Sequence, residues 1–132
     1  MLEIACLAFA VYFEARSEPI AGQLAVANVV INRKLSSRYP NDICSVVFEG
    51  PVYGSGQPIK NRCQFSFWCD GKNEVIDDRG AWHTALNVAD SALTTRLDVS
   101  EGATHYHTTK VSPKWRLSLQ QTIKIGEHIF YR

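Results

Sequence analysis

The residue with the clearest potential for chemistry is Glu14, which directly follows the apolar run Leu7–Phe13 and precedes a second acid, Glu18, by one helical turn. A carboxyl packed against aromatic and aliphatic groups loses hydration, so its pKa rises toward the range in which it can donate a proton near neutral pH. Such a carboxyl is the general acid that glycoside cleavage requires. The alternative is that Glu14 only pairs with Arg16 or Arg33 at the edge of a core, because structural ion pairs also perturb pKa values.

Two polar side chains in the middle of the chain, Gln64 and Ser66, form a second group of candidates. On an extended segment alternate residues point to the same side, so both can hydrogen-bond the acetamido and hydroxyl groups of a sugar. Phe65 and Phe67 would then point the other way, into the core. The alternative is that Gln64 only caps a backbone end, since polar side chains often bond to the backbone.

Aromatic residues near the C-terminal end of the sequence are further candidates for a binding site. His105, Tyr106 and His107 alternate on a predicted strand, so either Tyr106 or the two histidines face the site. We favour Tyr106, because its hydroxyl can enter a cleft while its ring packs. Trp68 and Trp115 are candidate faces for stacking on a sugar. The alternative is that both belong to the core, as most large aromatic residues do.

The composition limits the classes of protein to which the chain can belong. With 132 residues, 45% of them apolar, it is long enough to bury a core, and we expect a single domain over 1–132. The net charge of +1 provides no broad basic face, so nucleic acid is not an expected partner. No run of about 18 apolar residues occurs and the start Met1–Glu3 has no basic residue, so we expect neither a membrane span nor a signal peptide.

Four cysteines, an even number, are compatible with two disulfides in an oxidising compartment. Of the three possible pairings, the spacing favours Cys63 with Cys69, because one bridge can clamp this short loop. That pairing leaves Cys6 for Cys44. Four reduced thiols are the alternative in a cytosolic protein. A zinc site is not favoured, because no C-x-x-C spacing occurs.

The hydrophobic pattern predicts the elements that must position these residues. Residues 3–16 and 22–34 carry apolar groups at helical spacing, and Pro19 interrupts the pattern between them. Glu18, beside Pro19 at this helix end, is expected to lie in solvent and to matter less than Glu14. The other predicted elements are a turn at 39–42, a short helix over 43–48, a flexible surface loop over 49–61, a helix over 81–94, and two strands, 103–109 and 122–131, joined by a loop around Pro113 and Trp115.

A recognisable set of motifs extends over nearly the whole chain. Its segments are Tyr12–Pro19, Gly22–Arg33, Gln64–Ser66 with Asp70 and Gly71, Ala103–His107 with Trp115, and Ile125–Tyr131. Together they resemble the cell-wall hydrolases of the spore cortex-lytic type. The glycine-rich insert before Cys63 and the four cysteines depart from the spore enzymes and look more like relatives from Gram-negative bacteria or their phages.

The resemblance implies a small lysozyme-like α+β domain, mainly helical with a short antiparallel β element near the C-terminus, similar to the catalytic domains of resuscitation-promoting factors. It implies a lytic transglycosylase that cuts peptidoglycan glycan strands between N-acetylmuramic acid and N-acetylglucosamine. Glu14 would protonate the bridging oxygen and then act as base, while the muramoyl 6-hydroxyl closes a 1,6-anhydro ring without a second carboxylate. Neither a metal nor another cofactor is expected. The expected substrate-binding residues are Gln64, Ser66, Tyr106 and Trp115.

Such an enzyme is expected to act on the cell wall, in the periplasm or outside the cell, as a monomer whose partner is the glycan strand. No signal peptide is expected in this chain. Cytoplasmic storage of a phage-encoded enzyme before lysis, or a trimmed chain, would fit that expectation.

Three other functions stay open. A hydrolytic muramidase would need a second carboxylate, for which Asp70 is the candidate. A zinc amidase that cuts the peptide stem would hold its metal through His105, His107 and His128. A non-catalytic wall-binding module would hold glycan on its aromatic residues, and Glu14 would only order the core.

Overall fold

The computed structural model describes residues 2–50, 54–55, 57–60, 62–72 and 75–132. Over these residues the chain forms four α-helices and a three-stranded antiparallel sheet near the C-terminus. The helices are Glu3–Ala15 (α1), Ile20–Leu35 (α2), Ile43–Val47 (α3) and Arg79–Thr95 (α4), and the strands are His105–Thr108 (β1), Gln121–Ile125 (β2) and His128–Tyr131 (β3). The predicted α+β class, mainly helical with a short antiparallel element, is confirmed.

Helix α1 forms the centre of the helical part, and α2, α3 and α4 all pack against it. Its sequence has apolar residues on every side, which is the pattern of a helix that is buried all round. Leu7, Val11 and Tyr12 fill the space between the helices and have no exposed surface. Glu14 follows at the end of this buried helix.

Two helices begin at aspartate caps. The side chain of Asp42 accepts a hydrogen bond of 2.9 Å from the backbone N–H of Ser45 at the start of α3, in agreement with the predicted turn. Asp78 caps α4 in the same way through the N–H of Ala81, at 3.0 Å. The apolar pattern alone predicted that this helix begins at Ala81. Because of the cap, α4 begins two residues earlier, at Arg79.

The sheet has the order β1-β3-β2, with Tyr106 of β1 opposite Phe130 of β3. The expectation of one strand over 122–131 is wrong. This segment is a hairpin of β2 and β3, because Gly126 adopts a φ of 58° and turns the chain back. Phe130 has no exposed surface and packs in one cluster with residues of α1 and α2. This contact holds the sheet against the end of α1 that carries Glu14.

Both predicted disulfides are present. Cys6–Cys44 joins α1 to α3, with Cα atoms 5.2 Å apart. Cys63–Cys69 closes a short loop, with Cα atoms 6.0 Å apart.

Two expectations can be compared with the described residues only. The segment predicted as a flexible surface loop, 49–61, lies partly outside them, and its described parts contain no α-helix. Its flexibility stays a prediction. None of the helices in the described ranges is long and apolar enough to cross a membrane.

Candidate active site

Glu14 lies in the last turn of α1, where the buried helix meets the sheet. The hydroxyl of Tyr106 on β1 donates a hydrogen bond of 2.5 Å to Oε1 of Glu14. Burial raises the pKa of Glu14 above its ordinary value, and the hydrogen bond from Tyr106 and the positive charge of Arg33 partly oppose that rise. The carboxyl is therefore suited to hold a proton at a pH where an exposed glutamate has lost it.

The interpretation that Glu14 serves only in an ion pair is not supported. Arg16 instead donates hydrogen bonds to Asp77, at 3.3 Å, and to the hydroxyl of Tyr12, at 2.6 Å. Arg33 influences Glu14 through its charge. In the part of the chain that the structure describes, no cationic side chain lies within salt-bridge distance of Glu14.

Arg33 supplies a fixed positive charge near this site. It is buried, and its Nε donates a hydrogen bond of 2.8 Å to the carbonyl oxygen of Thr104. The guanidinium lies over the rings of Tyr39 and Phe65, at 4.9 and 5.4 Å from their centroids. These contacts connect α2 to the start of β1, the strand that carries Tyr106.

Strand β1 turns Tyr106 toward Glu14 and its two histidines toward the other face of the sheet. Burial and the neighbouring Glu14 carboxyl raise the pKa of Tyr106 well above its ordinary value. The phenol therefore keeps its proton and serves Glu14 as a hydrogen-bond donor. The role of Tyr106 in binding substrate stays a prediction.

The expectation that Glu18 lies in solvent is wrong. Its side chain is 8% exposed, and its Oε1 accepts a hydrogen bond of 2.8 Å from the backbone N–H of Glu127. The same oxygen lies 3.7 Å from Nδ1 of His128. The sequence shows Glu18 only as a neighbour of Pro19 at a helix end. The turn between β2 and β3 folds over it, a contact between residues far apart in the chain.

Glu14 and Glu18 line one hollow of about 450 Å³, which we call the acid hollow. Its other lining residues are Ser17, Thr108, Lys110, Glu127 and His128. Ser17 also lines a wider hollow of about 790 Å³, together with Arg16 and Arg79. The two hollows share Ser17 in their linings, and we call the two together the groove. A more enclosed hollow of about 320 Å³, between α2 and the end of α4, contains none of the candidate catalytic residues.

Sequence reasoning missed several residues of the acid hollow. Thr108 and His128 are paired across β1 and β3 on the same face as Tyr106. Strand alternation would have assigned Thr108 to the site once Tyr106 was placed there. His128 depends on the register between strands, which the sequence does not show. Lys110 and Glu127 lie outside the strands, where no periodic pattern applies.

The segment with Gln64 and Ser66 was expected to be extended, and this expectation is wrong. It bends at Gln64, and a single turn of 3-10 helix covers Ser66–Cys69. The Cys63–Cys69 disulfide closes this loop and brings its two ends together, which an extended chain of this length does not allow.

The division of this segment into inward and outward residues is nevertheless confirmed. Phe65 and Phe67 are buried, and Gln64 and Ser66 are exposed. Phe67 stacks on Phe13 with ring centroids 4.9 Å apart, which places the segment beside the end of α1. Neither Gln64 nor Ser66 lines the acid hollow, and their contact with substrate stays a prediction.

Trp115 lies on the face of the sheet that points away from Glu14. Its ring packs against the rings of His105, His107 and Tyr131, at centroid distances of 5.1, 5.6 and 5.3 Å. The structure does not bring Trp115 into the acid hollow. A role for Trp115 in substrate binding stays a prediction.

The three histidines considered as zinc ligands do not converge. His105 and His107 lie on one face of the sheet, whereas His128 lies on the other. The ring of His128 packs against that of Tyr106, with centroids 4.9 Å apart. On the opposite face, Nε2 of His107 shares a hydrogen bond of 2.8 Å with the hydroxyl of Tyr131. Within the described ranges, no three His, Cys, Asp or Glu side chains are arranged to hold a metal ion. The geometry does not support the zinc amidase.

Asp70, the candidate second carboxylate of a hydrolytic enzyme, does not line the acid hollow. Its Oδ1 accepts a hydrogen bond of 2.8 Å from the backbone N–H of Lys72, and Gly71 has a φ of 84°. Asp70 therefore shapes a turn. The acid hollow instead contains Glu18 and Glu127 beside the candidate acid.

Comparison with known proteins identifies the class of molecule that this chain resembles. Residues 17–131 match the model of a family described as Cell Wall Hydrolase. The match begins three residues after Glu14, so the role of Glu14 depends on the geometry given above. Spore cortex-lytic enzymes of Halalkalibacterium halodurans and Bacillus subtilis are 34% and 35% identical to this chain over 129 and 130 residues. These alignments cover 97% of this chain but 34% and 37% of those proteins, so the chain spans about a third of their length.

A solved structure with a similar fold is the catalytic domain of the germination-specific lytic transglycosylase SleB from Bacillus anthracis. The TM-score is 0.71 and the sequence identity is 30%, and the match covers 98% of this chain and 93% of that domain. The predicted small lysozyme-like fold is thereby confirmed. The chain has the extent of one such catalytic domain.

Proposed function

The chain belongs to the cell wall hydrolase family, and from this premise we propose that it cleaves the glycan strand of peptidoglycan as a lytic transglycosylase. The bond that breaks joins N-acetylmuramic acid to N-acetylglucosamine, and Glu14 protonates its oxygen. The observation that carries the proposal is the Glu14 carboxyl, which is half-buried, has a pKa raised by that burial and lines the acid hollow. The names of the relatives and of the matched catalytic domain support the same class of reaction.

In the first step Glu14 donates its proton to the bridging oxygen while the bond between that oxygen and C1 of the muramoyl residue breaks. Positive charge develops at C1, and the departing sugar takes the proton as part of a hydroxyl group. Glu14 is left as a carboxylate. The hydrogen bond from Tyr106 and the charge of Arg33 stabilise that carboxylate, and both groups are in place before the reaction.

In the second step the muramoyl 6-hydroxyl attacks C1, and its proton passes to the Glu14 carboxylate. The product is a 1,6-anhydro ring, and Glu14 regains the proton that it gave. Neither water nor a second carboxylate takes part, because the nucleophile belongs to the substrate and is already close to C1. One glutamate thus serves first as acid and then as base.

The remaining candidate residues would bind sugars on either side of Glu14. Gln64 and Ser66 are exposed beside the end of α1, where they can donate hydrogen bonds to, and accept them from, sugars that extend beyond the acid hollow. Trp115 would contact glycan only outside the acid hollow, because its ring lies on the other face of the sheet.

The proposed setting is the cell wall, in the periplasm or outside the cell. The two disulfides support this setting, because disulfides form and persist in oxidising compartments. We further propose that the chain acts as one domain over 1–132 and as a monomer. Light scattering of the purified chain tests the monomer directly.

The test of the function compares the wild-type protein with Glu14→Gln on purified sacculi. The wild type should release fragments with new glycan ends and no new amino groups, and the variant should lose about 10²- to 10⁴-fold in rate. Glu3→Gln is the matched control, because Glu3 lies on the same helix but is exposed and forms a surface ion pair with Lys34. A Glu14→Gln variant with wild-type activity, or release of amino groups by the wild type, would contradict the proposal.

A further inference from the structure

Glu18 has no part in the reaction described above, yet its carboxylate is almost completely buried in the hollow that contains Glu14. A buried carboxylate is costly unless hydrogen bonds compensate it. We propose that Glu18 is a positioning residue, which acts through the turn between β2 and β3 and through Tyr106 to hold Glu14 in place. This inference rests on the proposed role of Glu14 and deepens it.

The first contact joins Glu18 to the turn between β2 and β3. Its Oε1 accepts the N–H of Glu127 at 2.8 Å. Gly126 lies so close that a Cβ atom at this position would be 2.7 Å from Oε1 of Glu18 and 3.0 Å from Cδ of Pro19. Glycine permits this approach, and it also adopts the φ of 58° that the turn requires. The turn is therefore fixed onto the connection between α1 and α2.

The second contact leads from the turn to Tyr106 through His128. His128 directly follows Glu127 and is 4% exposed. Its Nδ1 is buried and has no hydrogen-bond partner among the described residues, and the nearest carboxylate oxygen, Oε1 of Glu18, is 3.7 Å away. The ring of His128 packs against that of Tyr106, with centroids 4.9 Å apart.

The third contact is the hydrogen bond of 2.5 Å from Tyr106 to Glu14. The ring of Tyr106 lies against both His128 and Phe130, with centroids 4.9 and 5.6 Å apart, so His128 is one of the two rings that hold the phenol in place. Without an acceptor at Glu18, the N–H of Glu127 loses its partner and the turn is released. Proton transfer depends on geometry, and a displacement of about 1 Å can lower a rate about 100-fold.

The experiment uses Glu18→Ala and Glu18→Gln of the full chain, with soluble un-cross-linked peptidoglycan strands as substrate. Glu18→Ala should lower kcat about 10- to 100-fold and change KM much less, because the substitution displaces the group that transfers the proton and most of the binding surface lies elsewhere along the strand. Glu18→Gln should retain most of kcat, since its amide oxygen still accepts the N–H of Glu127. Glu3→Gln, an exposed acid on α1, is the control for loss of a negative charge.

Two kinetic results would overturn the inference. Full kcat in Glu18→Ala would show that Glu14 needs no such support. An equal loss in Glu18→Gln would show that the charge of Glu18 itself takes part in the chemistry.

A further test combines Glu18→Ala with Tyr106→Phe. If Glu18 acts through Tyr106, the double variant should be no slower than Tyr106→Phe alone, and full additivity of the two losses would contradict the proposed path.

Crystal structures of the variants give a readout that is independent of activity. In Glu18→Ala the Tyr106 hydroxyl should lie beyond about 3.5 Å from Glu14, and in Glu18→Gln it should stay within hydrogen-bond distance. If the wild type cleaves no glycan, the proposed function fails although Tyr106 still moves. If Tyr106 stays in place in Glu18→Ala, the inference fails whatever the activity. Should Glu18→Ala not fold, Glu18→Asp, one methylene too short to reach the N–H of Glu127, must show the same loss of kcat and the same displacement.

Discussion

The Glu14 carboxyl is less stable as an anion in the folded protein than in the unfolded chain, because burial has the largest influence on its pKa. The folded-state pKa lies above the ordinary value of 4.5. The folded state therefore binds the proton more tightly than the unfolded state does. The contribution of this tighter proton binding to the free energy of unfolding is complete below pH 4.5 and is lost as the pH rises through the folded-state pKa of Glu14.

This linkage predicts how Glu14→Gln changes stability. The amide is neutral at every pH, so the variant should gain stability relative to the wild type as the pH rises from about 4 to 7. Urea denaturation of both proteins at the two pH values measures the difference in the free energy of unfolding. If the variant instead lost stability relative to the wild type as the pH rose, the assignment of Glu14 as an acid whose pKa is raised by burial would be contradicted.

Tyr106→Phe removes the hydrogen-bond donor that lowers the pKa of Glu14. The pKa of Glu14 should then rise further, so the decline of activity at high pH should move to higher pH. The rate at the optimum should fall at least about 10-fold, since a hydrogen bond to a charged group contributes about 1.5–3 kcal/mol. Initial rates on sacculi between pH 4 and 9 test both effects, and an unchanged upper limb would show that Tyr106 does not control Glu14.

At the scale of elements, the two disulfides close loops of very different length, with sequence separations of 38 for Cys6–Cys44 and 6 for Cys63–Cys69. The loop-entropy argument predicts losses of about 4 and about 2 kcal/mol when each pair is replaced by alanine. Urea denaturation of the two double variants measures these losses. Activity should suffer more from loss of Cys63–Cys69, because that bridge shapes the segment with Gln64. A larger loss of stability for the shorter loop would contradict the entropic account.

The helices were predictable because their signal is local. Apolar spacing predicted 3–16 and 22–34, and the helices observed are Glu3–Ala15 and Ile20–Leu35. The pairing of the cysteines was predictable for the same reason, since the short spacing limits the partners of Cys63.

The errors concern contacts that the local pattern does not contain. The segment 122–131 has strand composition throughout, and its division depends on the backbone conformation of Gly126. The burial of Glu18 depends on the turn that folds over it from the other end of the chain. Ser66 was assigned to an extended segment, although the neighbouring disulfide favours a tight turn.

At the scale of the whole molecule, the site lies where two packed clusters meet. One cluster surrounds α1 in the helical part, and the other joins the end of α1 and the middle of α2 to the sheet. Tyr106 packs against both clusters, and Glu14 lies beneath its hydroxyl. The sequence can therefore show the acid and the aromatic residue separately, but only the assembled molecule shows that they meet.

The carboxylates around the groove limit the possible reactions. Hydrolysis requires a carboxylate that activates water or attacks C1. In the acid hollow, Oε1 of Glu18 already accepts the N–H of Glu127, and Oε2 of Glu127 accepts a hydrogen bond of 2.8 Å from the hydroxyl of Thr109. Asp70 shapes a turn outside the hollow. Each candidate for a second catalytic carboxylate thus already has a structural hydrogen bond.

The last prediction concerns the products that follow from this arrangement. With Glu14 as acid and base, attack by the muramoyl 6-hydroxyl needs no further catalytic group from the protein, because the nucleophile and C1 belong to the same sugar. We therefore expect 1,6-anhydromuropeptides, each lighter by one water than the corresponding hydrolysis product and resistant to reduction by borohydride. Mass spectrometry of digested sacculi, with and without borohydride, distinguishes the two outcomes. Reducible muramic acid ends would show that water is the nucleophile, and Glu18, the acid that shares the hollow with Glu14, would then be the first candidate for the base that activates it.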